Sequence, residues 1–183
     1  MFKSLSILSA TLLSLTFAGA PVLANNTESA HVDLLNSVVD AGVRVYINPA
    51  HCFLEDAPNG FYVSQSRVLV VCQDNRETEG EIVDMTANDL DTIRHEVHHV
   101  VQDCKDGIGD NSLKNFFSGE GELAEFLELS SLTEYQLNRI VSAYTENGAD
   151  IRTVLLELEA FAVAADVDAS DITAAVQTFC PIN

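Results

Sequence analysis

The sequence predicts an α+β domain in which a small antiparallel sheet precedes a helix rich in chemistry-bearing side chains and a C-terminal group of helices. Two observations carry this. Short, β-branched, alternating runs are confined to residues 43–72, and from residue 86 onward the apolar residues recur at helical spacing with capping signals between them. No internal repeat, low-complexity tract or second-domain linker interrupts the order.

MFKSLSILSATLLSLTFAGAPVLA, with its single Lys3, apolar run and small-residue ending, is built as a secretory signal peptide with cleavage expected after Ala24. The expected product is a secreted or periplasmic protein with residues 25–183 as one domain. No later segment is long and apolar enough to span a bilayer, so no membrane association is expected once the signal is removed. The 28 acidic against 9 basic residues give a formal charge of −19, which repels phosphate backbones and excludes nucleic acid as a partner. Cys52, Cys72, Cys104 and Cys180 all lie in the exported part, and an even count in an oxidising compartment points to disulfides. Cys52–Cys72 would bracket a hairpin-like region and Cys104–Cys180 would tie a helix end to the C-terminus, although spacing alone leaves all three pairings open. No two cysteines have the close spacing of a thiolate metal site.

Taken in order, HVDLLNSVVDAG places Val32, Leu35, Val38 and Val39 on one face of a helix ending at Gly42. VRVYI (43–47) alternates as a strand, and FYVSQ and RVLVVC form two more joined by a tight polar link at Ser66. Residues 74–84 are charged and loop-like. Thr86 to Asp89 has the form of a capping box that starts the next helix. Residues 105–121 read as loop. Ser130 or Ser131 is the expected cap of a helix running to Gly148, Asp150 opens IRTVLLELEAFAVAAD, and Ser170 is the expected cap of the last helix, DITAAVQTFC.

The helix after Thr86 contains DTIRHEVHHVVQDC (91–104), with three of the chain's five histidines. At about 100° per residue, Leu90, Ile93, Val97, Val100, Val101 and Cys104 fall on one side, and His95, His99 and Gln102 fall opposite. The polar side is expected to face water or a cleft. His95-Glu96-Val97-His98-His99 has the His-Glu-x-x-His spacing, in which imidazoles one turn apart converge on one zinc ion and the glutamate beside them takes a proton from water. His98, on the flank, is expected at the surface or as a supporting group. A catalytic zinc needs three protein ligands and one open position. Position 105 is Lys105, so the extended three-histidine form is absent, and the third ligand must come from Glu120, Glu122, Glu125, Glu157 or Glu159.

HEVHHVVQ (95–102) together with ELEA (157–160) resembles the zincin metallopeptidases, and among them the gluzincins and the compact exported bacterial proteins that pair HExxHxxQ with a later Glu-x-Glu-Ala segment. The resemblance implies a zincin-like fold with one zinc per chain. It also implies a third ligand that precedes a small residue by three positions. Glu157 before Ala160 fits that rule, and Glu159 before Ala162 is its competitor. Gluzincins often carry an aspartate four residues after the ligand, a place held here by Phe161 or Val163. An edge strand above the active-site helix would hold an extended peptide, a role that falls to FYVSQSRVLVVC.

The expected activity is hydrolysis of a peptide or protein substrate by zinc-activated water, with Glu96 as general base and Tyr144 or His98 as a further donor to the oxyanion. The alternative is an exported zinc-binding or interaction protein that keeps the motif without catalysis.

Overall fold

The computed structural model describes residues 24–105, 107–108, 112–117 and 119–180, apart from the side chains of 24–27 and 120. Of the expected signal sequence, residues 1–23 lie outside them. The order is α1 (Ala24–Asp40), β1 (Arg44–Ile47), β2 (Gly60–Val63), β3 (Val68–Val71), α2 (Ala87–Cys104), α3 (Glu120–Leu129), α4 (Glu134–Glu146), α5 (Ile151–Asp166) and α6 (Ala169–Phe179). Short 3-10 turns occupy Ala50–Phe53 and Ser64–Ser66. The architecture is mixed α and β, with six helices around a three-stranded sheet. No helix among the described residues is long and apolar enough to cross a membrane.

The sheet corrects the expectation of an antiparallel arrangement. Its order is β1-β3-β2, with β2 antiparallel to β3 and β1 parallel to it. The reason lies at the strand ends. Cys52, shortly after β1, is bonded to Cys72, directly after β3, so both strands must leave the sheet at the same end. Asn48 and Gln73 reinforce this: the Asn48 amide donates to Gln73 Oε1 at 2.9 Å, and the Gln73 backbone N–H donates to Asn48 Oδ1 at 2.7 Å. Only the β2–β3 hairpin follows the predicted meander.

Several caps follow local chemistry. Thr86 and Asp89 form the expected capping box of α2, and Asp150 accepts from the Thr153 N–H at the start of α5. The cap of α4 is Thr133 rather than Ser130 or Ser131, because Gln136 completes a capping box with it. Ser130 instead bonds back to Leu127 O at the end of α3. The cap of α6 is Asp168 rather than Ser170, and its carbonyl accepts from Asp171 and Ile172.

The main core joins Leu34 and Val38 of α1, Leu69 and Val71 of β3, Ile93, Val97, Val100 and Val101 of α2, and Ile172 and Val176 of α6. A second cluster, with Leu132, Ile140, Tyr144, Val154, Leu158 and Ala162, packs α4 against α5. Arg94 ties three helices: its Nε donates to Ala164 O at 2.7 Å, its Nη1 lies 2.9 Å from His31 Nε2, and its Nη2 pairs with Asp91. The second disulfide, Cys104–Cys180, fixes the end of α2 to the end of α6.

Closing a loop across 76 residues restrains the unfolded chain more than closing one across 20. In the chain-entropy picture this amounts to about 4.5 kcal/mol against about 3 kcal/mol. Replacing Cys104 and Cys180 by serine should therefore lower the urea midpoint more than replacing Cys52 and Cys72, as followed by circular dichroism.

Candidate metal centre

Residues 95–104 of α2 are buried without a break, because α1, α5, α6 and the sheet pack around the helix. The side expected to face water or a cleft instead meets α5. His95 and His99, one turn apart, point their Nε2 atoms at each other across 3.1 Å. Glu157 Oε2 lies 3.2 Å from His95 Nε2 and 3.5 Å from His99 Nε2. Among the described residues these three form the group that could hold a metal ion.

The donor set fits a cation. A tetrahedron of ligands at about 2.0–2.1 Å from its centre has edges of about 3.3–3.4 Å, and the three observed separations bracket that value. Glu157 Oε2 is buried and, although close to two nitrogens, accepts no aligned hydrogen bond. Lone pairs converging on one point are better satisfied by an ion than by a shared proton. Electrostatics agree. Burial pushes the Glu157 carboxyl up, but His99 and His95 more than offset this and hold it well below the usual carboxylate range. Burial lowers His95, with Glu157 opposing. His99 is also pulled down by burial, but Glu157, then Glu96 and Gln102, lift it to about 9.

Glu159 goes elsewhere. It is fully buried on the other side of α5, and its Oε1 lies 2.8 Å from His98 Nε2. The same oxygen accepts from Gln102 Nε2 at 2.9 Å and the Phe116 N–H at 2.7 Å, while Oε2 accepts from Asn115 Nδ2 and the Phe117 N–H. His98 is therefore an interior group and not a surface one, because α5 and the 112–117 segment cover the flank of α2. Burial lowers its basicity, and Glu159 opposes that shift. Glu122 and Glu125 are exposed on α3, and the Glu120 side chain lies outside the described residues.

Glu96 sits beside His95, His99 and Glu157. Burial raises its carboxyl to about 8, helped by Glu157 and opposed by His99 and by a hydrogen bond from the Tyr62 backbone N–H. That N–H belongs to β2, the edge strand of the sheet that packs on α2. Asn59 and Cys72 are hydrogen-bonded across the hairpin, so by antiparallel alternation Gly60 and Tyr62 turn their backbone groups away from β3. The Tyr62 hydroxyl donates to Asp103 Oδ2 at 2.6 Å and clamps β2 onto α2. Tyr144, from α4, bonds Glu157 through its hydroxyl, and burial holds that hydroxyl protonated far above its ordinary range. His95 has no carboxylate behind it; Phe161 packs there, its ring 4.4 Å from the imidazole.

Sequence reasoning took Gln102 only as part of the HExxHxxQ pattern and Tyr62 only as part of the peptide-holding strand, and assigned no role to Asp103, Gly60 or the 112–117 segment. Gln102 carried a signal, since it lies three residues beyond His99 on the same face, and its Oε1 is 2.7 Å from His99 Nδ1. The others depend on contacts far apart in sequence.

Gly60 shows how closely strand and helix approach. A Cβ there would stand 2.7 Å from Thr92 Cγ2, 2.9 Å from Glu96 Cγ and 3.0 Å from Val70 O. Gly60→Ala should therefore displace Glu96 and destabilise the protein by about 1–3 kcal/mol, the usual range for overpacking. Gly121→Ala, in a helix where an added methyl group meets nothing within 4 Å, should be neutral or stabilising. Thermal unfolding of both variants checks the contrast.

No curated protein and no solved structure matches the chain. Residues 22–181 match the family described as a domain of unknown function, DUF8637, and on that extent of match the chain belongs to it.

Proposed function

We propose that the protein is a secreted zinc metallopeptidase of zincin type, acting on peptide or protein substrates with Glu96 as general base. The observation that carries the reading is the convergence of His95 Nε2, His99 Nε2 and Glu157 Oε2 within 3.5 Å of one another, with the Glu96 carboxyl beside them. Two imidazoles and one carboxylate are a familiar catalytic donor set for zinc, and three protein ligands leave one position open. Zinc held there would supply a Lewis acid that acidifies water and polarises a carbonyl. Both disulfides suit an oxidising compartment and so support export.

The chain's own groups divide the remaining work. Glu96, beside His95, His99 and Glu157, is the carboxylate that would take a proton from water and return it to the leaving amine, a role that requires a bound cation to bring its raised carboxyl back down. Tyr144, whose hydroxyl stays protonated, is the donor placed to steady negative charge developing near Glu157. The outward edge of β2 lies next to Glu96, where an extended peptide would pair with the Tyr62 carbonyl while the Tyr62 N–H stays with Glu96.

A second reading, an exported zinc-binding protein without hydrolysis, is favoured by one observation: His95, Glu96 and His99 are only 4 %, 3 % and 6 % exposed. Elemental analysis of the purified mature protein and a peptide-hydrolysis assay on a mixed fluorogenic library separate the two. Under the first reading the protein carries one zinc per chain and cleaves. Glu96→Gln should keep the metal and lose roughly 10²–10⁴-fold in rate, and Glu157→Ala should lose the metal on dialysis against a weak chelator. Zinc without cleavage in the wild type selects the second reading, and absence of zinc removes both.

A further inference from the structure

We infer that Glu159 is a positioning residue: through the side-chain amide of Gln102 it sets which ring nitrogen of His99 carries the proton, and hence which nitrogen is left to bind a metal. The chain of contacts runs from carboxylate to amide to imidazole. Gln102 Nε2 lies 2.9 Å from Glu159 Oε1 and 3.1 Å from Leu156 O. Both partners are acceptors only, so the NH2 end of the amide must face them. Gln102 Oε1 is thereby turned to His99 Nδ1, at 2.7 Å. An amide oxygen accepts, so Nδ1 carries a proton, and in the neutral ring, the form that binds a metal, Nε2 is left with the lone pair, directed toward His95 Nε2 and Glu157 Oε2.

Glu159 is able to hold that orientation because nothing else at its position makes it a donor. His98, Gln102, Asn115 and the backbone N–H groups of Phe116 and Phe117 surround it, and each of them donates. A fully buried carboxylate with five donors around it is fixed in place. His95 has no equivalent support: its Nδ1 is buried without a hydrogen-bond partner. The orienting of imidazoles in this site therefore rests on the single relay behind His99. The same carboxylate also anchors the 112–117 segment, so the placement of that segment and of a metal ligand share one group.

This inference deepens the metal-centre reading and rests on it for one arm of its test only. The relay requires an acceptor that reaches Gln102, not a charge. Glu159→Gln keeps the reach and removes the charge, whereas Glu159→Asp keeps the charge and withdraws the oxygen by one methylene. In the metal-free protein, at a pH above the value of about 9 at which His99 loses its second proton, ¹⁵N chemical shifts of the ring should report the Nδ1–H form in the wild type and in Glu159→Gln, and loss of its predominance in Glu159→Asp. Zinc affinity, measured by competition with a chromophoric chelator, should follow, falling about 10-fold or more in Glu159→Asp, within the range typical of groups that orient metal ligands. The opposite ranking, with Asp like the wild type and Gln impaired, would show that the charge acts directly and overturns the relay. Unchanged shifts and affinity in both variants overturn it as well. Should either variant fail to fold with both disulfides formed, Gln102→Met decides: the Nδ1–H form must lose its predominance, and its persistence refutes the inference. If the wild type binds no zinc, the proposed function fails while the ring-shift arm still decides the relay.

Discussion

The C-terminal half of helix α2 has no wet side, and the rest of the structure answers to that constraint. A surface helix solvates half of its circumference, but here ten consecutive residues, 95 to 104, are out of water. Six of them are His95, Glu96, His98, His99, Gln102 and Asp103, each of which would cost on the order of 1–3 kcal/mol if left buried without a partner. The surrounding elements supply the partners: Glu157 and Glu159 from α5, the Tyr62 backbone and hydroxyl from β2, and Gln102 for its own neighbour His99. What looks like a polar face is a polar seam inside the molecule.

The spacing of α5 across this seam explains how two glutamates only two residues apart serve different ends. Two residues advance a helix by about 200°, so Glu157 and Glu159 diverge to opposite sides of the line along which α5 crosses α2. One reaches His95 and His99; the other reaches His98 and Gln102. The three histidines of the motif are thereby divided between a converging triangle of ligand atoms and a hydrogen-bonded hub. With Phe161 rather than a carboxylate behind His95, His99 is the one imidazole of the triangle that has a hydrogen-bonded support at its back.

Local chemistry was legible in the sequence and long-range geometry was not. The start of α2 could be read from Thr86 and Asp89 because a capping box involves neighbours only, and the one-turn approach of His95 and His99 follows from helical geometry alone. Glu157 and Glu159 could not be separated by periodicity, because the choice depends on the angle at which a helix some sixty residues later crosses α2. The same limitation hid the burial of His98, whose partner is 61 positions away. The parallel pairing of β1 with β3 was hidden for a further reason: three short strands in succession read as a meander unless the Cys52–Cys72 bond is known to bring their ends together.

The pairing of the cysteines bears on which atoms compete for a cation. Thiolates are stronger ligands for zinc and copper than imidazole or carboxylate, and Cys104 stands on the same helix as His95 and His99, five residues past the second of them. All four cysteines are engaged in disulfides. Oxidation thus removes every soft sulfur donor the cysteines could offer before a metal is bound, leaving the nitrogen and oxygen triangle without an internal rival. In a reducing compartment the same polypeptide would carry four thiols beside that triangle, so any metal ion that met the chain before its sulfurs were oxidised would have other donors to choose.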